Sequence, residues 1–300
     1  MWQLYAFGSL VASAGENIID KVSLVKNIAV DFLVASFWRS FFFFLITVLI
    51  GLLNFNFGPL HFSFNWLILL LAPIGVFSSI FYTYLLKKVE ITSTTTFAYL
   101  APILFLLIDS RVLHTVFSLR IIIGVILLAI GGVGFSINAK TRQFKPELTK
   151  SAWGMLLFNV FWAGCLAYFF KYLNMTEGLN GVSFFSSLWL VISLILLILI
   201  CFKGKLSLLL TQSNRVYIKQ AFLSKTFDAI STLLWAQALI LVAVSRVSAF
   251  EALFPLILFI LVAIAQSVFK LELQEKLDYE NFILKVCATF CLVLGGFLVS

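Results

Sequence analysis

Long apolar runs, each separated from the next by a short polar stretch, extend through the whole chain. A transmembrane helix needs about 20 mostly apolar residues, and ten segments of the chain meet that requirement. We therefore expect an all-α integral membrane protein with ten transmembrane helices. The predicted spans are residues 2–20, 31–53, 64–86, 92–112, 118–138, 151–172, 179–202, 217–241, 247–269 and 281–299.

The composition excludes an ordinary soluble enzyme. Of the 300 residues, 62% are hydrophobic and 11% are charged, whereas soluble domains carry about 25% charged residues. A soluble fold of this size leaves roughly a quarter of its chain surface exposed, so it could not hide this much apolar area. The four cysteines have neither disulfide nor metal-ligand spacing, and we expect neither a metal site nor a cofactor.

The basic residues give the predicted orientation in the membrane. Fifteen of the 21 Lys and Arg residues lie in, or within a few residues of, the loops that follow predicted helices 1, 3, 5, 7 and 9, and four lie in or near the other loops. Cytoplasmic loops carry an excess of Lys and Arg. We therefore expect both termini to lie outside the cytoplasm, with the protein in the inner (plasma) membrane of a bacterium.

The two halves of the chain resemble each other at rare residues. A shift of 153 residues places Pro102 on Pro255, and a shift of 151 places Trp2 on Trp153. Each half contains five helices, an odd number, so the second half must enter the membrane inverted, as in many secondary transporters. The predicted units are a first five-helix repeat (1–138), a basic cytoplasmic linker (139–150) and a second five-helix repeat (151–300).

The ends of the two halves carry a shared pattern. The stretches VEITSTTTFAYLAPILFLLIDSRVLHTVFSLRIIIGVILLAIGGVGF and VAVSRVSAFEALFPLILFILVAIAQSVFKLELQEKLDYENFILKVCATFCLVLGGFLVS each contain small residues, a proline and a final glycine cluster. This pattern resembles the drug/metabolite transporter superfamily, in its ten-helix EamA-like branch. The resemblance implies two inverted five-helix repeats and transport of small metabolites. The glycines that match the family cluster are Gly131, Gly132, Gly134, Gly295 and Gly296.

Charged residues within the predicted spans need a physical reason, because a charge at mid-bilayer costs about 2.5–3.5 kcal/mol on insertion scales. One interpretation is mutual pairing: Lys225 and Asp228 are spaced i, i+3, and Glu16 and Arg39 lie at similar depth on successive helices. Under the same interpretation Glu251 would pair with a nearby arginine, Arg246. The alternative is that these groups line a water-filled cavity between the halves.

The cavity interpretation predicts a substrate site that combines these charges with aromatic stacking faces. We expect Pro102 and Pro255, at matching positions of the two halves, to be hinges, because a proline within a helix removes a backbone hydrogen bond. The predicted substrate-binding residues are Glu16, Arg39, Tyr82, Tyr99, Trp162, Lys225, Asp228, Trp235 and Glu251.

These features together predict a secondary transporter that works by alternating access. Mixed charges suit an amino acid or other zwitterion, or a nucleobase-like compound, and a buried carboxyl could couple transport to protons. The alternative is a lipid-linked substrate flippase or an accessory membrane subunit without solute transport. No phosphate-binding loop of the GxxxxGK[ST] type and no catalytic constellation is present in the sequence, so we expect no enzyme. The expected partners are a small-molecule substrate and membrane lipid but no nucleic acid, and the chain is expected to act as a monomer or homodimer.

Overall fold

The fold is all-α, with one short two-stranded hairpin. The computed structural model describes residues 1–27, 30–53, 57–88, 105, 108–109, 118–138, 143–144, 150–211, 215–251, 253–269 and 279–299. The helices are α1 (Trp2–Lys26), α2 (Phe32–Leu52), α3 (Trp66–Lys88), α4 (Leu119–Ser136), α5 (Lys150–Glu177), α6 (Gly181–Phe202), α7 (Leu206–Thr211), α8 (Arg215–Leu241), α9 (Val244–Glu251), α10 (Phe254–Phe269) and α11 (Tyr279–Val299).

Five helical segments of the described chain are long and apolar enough to cross a membrane. Helices α1 and α8 have 25 and 27 residues, about 37–40 Å at 1.5 Å per residue, but each carries several charged side chains. Helices α4 and α11 contain shorter apolar segments. The five candidate spans are Phe32–Leu52, Trp66–Lys87, Lys150–Glu177, Gly181–Phe202 and Val244–Val262.

The predicted first span is longer in the structure than in the sequence analysis. Helix α1 continues to Lys26, so Lys21 belongs to the helix rather than to a loop, and its side chain is buried. Lys21 Nζ donates to the backbone oxygen of Leu86 at the end of α3, 2.8 Å away. The polar end of α1 is therefore part of the packed bundle.

The predicted ninth span is broken. Helix α9 ends at Glu251 and α10 begins at Phe254, so position 255 lies in the first turn of α10, where a proline is tolerated. This differs from the expected mid-helix position of Pro255. The predicted fourth span is described only at residues 105, 108 and 109, which are helical.

Local sequence signals explain several helix ends. Asp31 precedes α2 and its side chain accepts a hydrogen bond from the Leu33 N–H at 2.9 Å, while Asn180 caps α6 in the same way. Gly178 follows α5 with φ of +64°, a conformation that glycine adopts without steric cost.

Helix packing divides into a few pairs. Helix α1 packs most extensively against α8, and α4 packs along α11; α2 contacts α6 and α8, and α3 contacts α5 and α6. The α4–α11 pair depends on the predicted glycine clusters, because a Cβ at Gly131 would lie 2.7 Å from the backbone oxygen of Ala288. Likewise, a Cβ at Gly295 would lie 2.7 Å from the backbone oxygen of Gly124, so these glycines allow two backbones to approach closely.

The hairpin lies between α4 and α5. Strand β1 (Ile137–Asn138) pairs antiparallel with β2 (Gln143–Phe144). The predicted linker 139–150 therefore contains β2 and the first residue of α5, and the remainder of the linker is outside the described residues.

Candidate functional site

Five charged side chains meet where α1, α2 and α8 pack together, and we call them the charged cluster. Arg39 Nη2 lies 2.5 Å from Asp20 Oδ2 and 3.5 Å from Glu16 Oε1. Lys225 Nζ contacts Glu16 Oε1 and lies 2.7 Å from Asp228 Oδ2 and 3.6 Å from Asp20 Oδ2. The charged cluster therefore combines three carboxylates with two cations.

Helix geometry explains how these residues meet. Glu16 and Asp20 are four residues apart on α1, and Lys225 and Asp228 are three apart on α8, so each pair shares one helix face. The two helices also bond directly, since Ser231 Oγ on α8 donates to the backbone oxygen of Ser9 on α1 at 2.9 Å. This close contact places the four charges opposite each other.

Four of the five members of the charged cluster are almost completely buried, and the side chain of the fifth, Asp228, is 20% exposed. Exposed fractions are 6% for Glu16, 2% for Asp20, 6% for Arg39 and 3% for Lys225. Burying an ion costs several kcal/mol unless it is paired and hydrogen-bonded. The pairs predicted from the sequence, Lys225 with Asp228 and Glu16 with Arg39, are present, but they are joined in one network through Asp20.

Neutral groups hold the cluster in position. Ser224 Oγ donates to Asp20 Oδ1 at 2.6 Å. The guanidinium carbon of Arg39 lies 4.6 Å from the ring centre of Tyr82, a cation–π arrangement. The Tyr82 hydroxyl donates to Asn17 Oδ1 at 2.7 Å. The cations are thus oriented by several partners at once.

A cavity of about 270 Å³ lies beside the charged cluster, and we call it the mixed-charge cavity. Four members of the cluster line it, namely Glu16, Arg39, Lys225 and Asp228. Its volume is close to the lower end of ordinary small-molecule sites. The remaining lining residues are small, amide or aromatic: Ser13, Asn17, Gly75, Ser78, Ser79, Tyr82, Asn159, Trp162 and Trp189.

A second cavity of about 290 Å³ adjoins the first, and we call it the acidic cavity. Both cavities are lined by Ser13, Trp162 and Asp228, so these residues form the wall between them. The acidic cavity adds Glu251, which ends α9, together with Trp235. Its other lining residues are Ser9, Leu10, Ala163, Leu166, Ser231, Thr232 and Phe254.

Most of the predicted binding residues line these two cavities, including Trp162 and Trp235, each of which is 9% exposed. Two predicted residues, Tyr99 and the hinge candidate Pro102, lie outside the described residues. Within the described chain, Glu251 forms no ion pair with Arg246, the partner considered in the sequence analysis. The structure therefore brings together residues from both halves of the chain.

Sequence reasoning missed Asp20, Asn17 and Asn159. The predicted first span ended at residue 20, which placed Asp20 at the membrane surface instead of in the bundle. The spacing of four residues from Glu16 was the available signal that Asp20 shares its helix face. Nothing in the sequence marked Asn159, which accepts a hydrogen bond from Ser78 Oγ at 2.7 Å across α3 and α5.

A second polar group, also missed, lies around Asp109. Its carboxylate accepts hydrogen bonds from the Tyr168 hydroxyl and from the Ser245 backbone N–H, both at 2.9 Å, and it is 0% exposed. Nearby on α5, Lys171 Nζ donates to the backbone oxygen of Val242 at 2.5 Å. Among the described residues, no group of three or more His, Cys, Asp or Glu side chains is arranged to hold a metal ion.

Comparisons with known proteins bear on the fold alone. No family model matches the chain, and no curated protein sequence matches it. Solved structures do match: one described as "Crystal structure of protein" superposes with a TM-score of 0.71 over 100% of this chain and 95% of its own length. Because the two sequences are only 14% identical, this likeness shows a shared arrangement of helices and nothing about function.

Proposed function

We propose that this chain is a secondary transporter that moves a small polar metabolite across a membrane by alternating access. The observation that carries the proposal is the mixed-charge cavity, where four charged side chains line a space inside an otherwise apolar bundle. Intramembrane ionisable groups that line a cavity are typical of substrate and ion pathways. The five long apolar helices support a membrane location.

The packing of the helices supports the proposal of ten spans in two inverted repeats. Suppose that α1, α2, α3 and α4 correspond to α5, α6, α8 and α11. Each contact among these eight helices should then have a counterpart when the two halves are exchanged. The contacts α1–α8 and α5–α3 form such a pair, as do α2–α8 with α6–α3, α2–α3 with α6–α8, and α1–α3 with α5–α8. The α2–α6 and α4–α11 contacts are their own counterparts.

Two lysine hydrogen bonds also become counterparts of each other when the two halves are exchanged. Lys21 on α1 donates to the backbone oxygen of Leu86 on α3, and Lys171 on α5 donates to the backbone oxygen of Val242 just after α8. In inverted repeats these contacts lie on opposite sides of the membrane, and we propose that both termini face away from the cytoplasm. Reporter fusions at each terminus test this orientation, and termini on opposite faces would contradict the paired five-helix arrangement.

The lining of the mixed-charge cavity supports a zwitterion such as an amino acid as the substrate. Arg39 and Lys225 offer positive charge, while Glu16 and Asp228 offer negative charge. Amide groups of Asn17 and Asn159 and the rings of Trp162 and Trp189 add hydrogen bonding and stacking. A phosphate carrier would instead require unpaired clustered Lys and Arg.

Reconstituted vesicles test this function directly. Uptake of labelled amino acids, other zwitterions and nucleobases is measured with and without a proton gradient. We expect one class to accumulate, and Asp228→Asn to reduce its uptake by about tenfold or more, because a charged hydrogen-bonding partner is lost. Glu177→Gln is the control, since Glu177 is exposed and lines neither cavity.

The same vesicles distinguish the alternative. Movement of a fluorescent lipid without flux of any solute would identify a flippase and overturn the transporter proposal. Equal uptake by wild type and Asp228→Asn would remove the mixed-charge cavity as the substrate site. Uptake that ignores the proton gradient would exclude proton coupling and leave solute transport intact.

A further inference from the structure

The acidic cavity differs in charge from its neighbour. Its charged lining residues are Asp228 and Glu251, and no Lys or Arg of the described chain lines it. Asp228 shares Lys225 with Glu16, and Glu251 forms no ion pair within the described residues. Four carboxylates, those of the charged cluster and Glu251, thus share two cations. The carboxyl group without a cationic partner in the described chain, that of Glu251, lies on the side of the acidic cavity.

The break between α9 and α10 places Glu251 at the wall of the acidic cavity. Glu251 is the last residue of α9, at the negative end of that helix, and it lies just before the positive N-terminal end of α10. Ends of discontinuous helices provide cation sites in secondary transporters, and this break opens onto the acidic cavity through Glu251 and Phe254.

Two tryptophans enclose the same space. Trp162 and Trp235 line the acidic cavity and are each 9% exposed, and an indole ring is the best face for a cation–π contact. The Trp235 Nε1–H is buried and faces the Glu251 carboxylate, so the indole helps to hold that carboxylate at the cavity wall.

The geometry points to the acidic cavity as a subsite for an organic ammonium ion, with Glu251 and Asp228 as counter-ions and Trp162 and Trp235 as its aromatic walls. This inference rests on the proposed function: the ammonium end of the substrate occupies the acidic cavity while its other polar end enters the mixed-charge cavity through their common wall. The substrate class is therefore an amine or an ammonium-bearing zwitterion.

Binding of choline to the full-length protein in detergent tests the subsite. The neutral control ligand is 3,3-dimethylbutan-1-ol, which has the shape of choline without its charge. We expect choline to raise the melting temperature in a concentration-dependent manner and the neutral isostere to leave it unchanged. Glu251→Gln should weaken choline binding by about tenfold or more, and Glu177→Gln should bind as wild type does.

Two further ligands identify the source of the ammonium group. Short-chain phosphatidylcholine presents it as a lipid headgroup, and sodium chloride presents an inorganic cation. Competition between choline and the short-chain lipid assigns the site to headgroups as well as to free amines. Stabilisation by sodium but not by choline, with loss in Glu251→Gln, would overturn the inference in favour of a metal-cation site.

Other results separate this inference from the proposed function. Equal binding of choline and its neutral isostere overturns the subsite, and that comparison uses wild type alone, so it stands even if Glu251→Gln does not fold. Solute uptake in vesicles with no binding of choline or of any methylated ammonium leaves a transporter without this subsite. Glu251-dependent choline binding without flux of any solute leaves the subsite and removes the transport function.

Discussion

The α1–α8 and α3–α5 contacts are counterparts in the proposed repeat, yet they differ sharply in chemistry. The α1–α8 contact contains the charged cluster, whereas the α3–α5 contact is bridged by the neutral bond from Ser78 to Asn159. The repeat places Ala72 opposite Lys225 and Gly75 opposite Asp228. In the proposed repeat, charged residues therefore occur at only one of two corresponding helix contacts.

A glycine in the uncharged α3–α5 contact makes space for an aromatic side chain. A Cβ at Gly75 would lie 2.8 Å from Trp162 Cη2 and 2.5 Å from Ile192 Cδ1. The indole of Trp162 thus fills the space that a side chain at 75 would take, and it forms the wall shared by both cavities. The α1–α8 contact thus supplies the charged side chains, and the α3–α5 contact supplies the space that Trp162 occupies as the aromatic wall of the cavities.

The largest loss of stability is expected when a cation is removed from the α1–α8 contact. Lys225→Met removes the shared partner of the buried Glu16 and the partly buried Asp228, and we expect the unfolding free energy in mixed micelles to fall by about 3–5 kcal/mol. Lys219→Met is the matched control, because Lys219 lies on the same helix but is exposed. If both variants unfold alike, the charged cluster does not stabilise the α1–α8 contact.

A serine on each contact gives the next comparison. Ser224→Ala removes a 2.6 Å hydrogen bond to the charged Asp20, and we expect a loss of about 1.5–3 kcal/mol. Ser78→Ala removes the 2.7 Å bond to the neutral Asn159, for an expected loss of about 0.5–1.5 kcal/mol. Denaturant titration of both variants measures the difference, and equal losses would show that the two contacts depend on their hydrogen bonds alike.

Apolar length predicted the fold far better than the site. Helices such as α2 and α6 match their predicted spans within about two residues. A continuous apolar run can cross a membrane only as a helix, because its backbone groups must bond within the segment. The charged cluster was predicted only as separate pairs, since Asp20 was assigned to a helix end. Asn159 and Asp109 act through contacts between distant helices, and a single sequence gives no signal for such contacts.

Glycine substitutions test how closely the side chains pack at the uncharged α3–α5 contact. Gly75→Ala forces Trp162 or Ile192 to move, and overpacking of this kind costs about 1–3 kcal/mol. The same change at Gly154, where a Cβ would meet nothing within 4 Å, should be neutral or should stabilise α5 by up to about 1 kcal/mol. A shift in tryptophan emission in Gly75→Ala alone would support displacement of Trp162, while equal stability of the two variants would contradict the close fit.

The smallest expected effect separates charge pairing from burial. Lys205 Nζ lies 2.6 Å from Asp31 Oδ2, a distance similar to those in the charged cluster, but the Lys205 side chain is 32% exposed. Exposed ion pairs contribute only about 0–1 kcal/mol because water already solvates both partners. We therefore expect Lys205→Met to lower the unfolding free energy by less than about 1 kcal/mol, with the Asp31 cap on α2 retained. A loss as large as that of Lys225→Met would mean that pairing distance, rather than burial between α1 and α8, sets the cost.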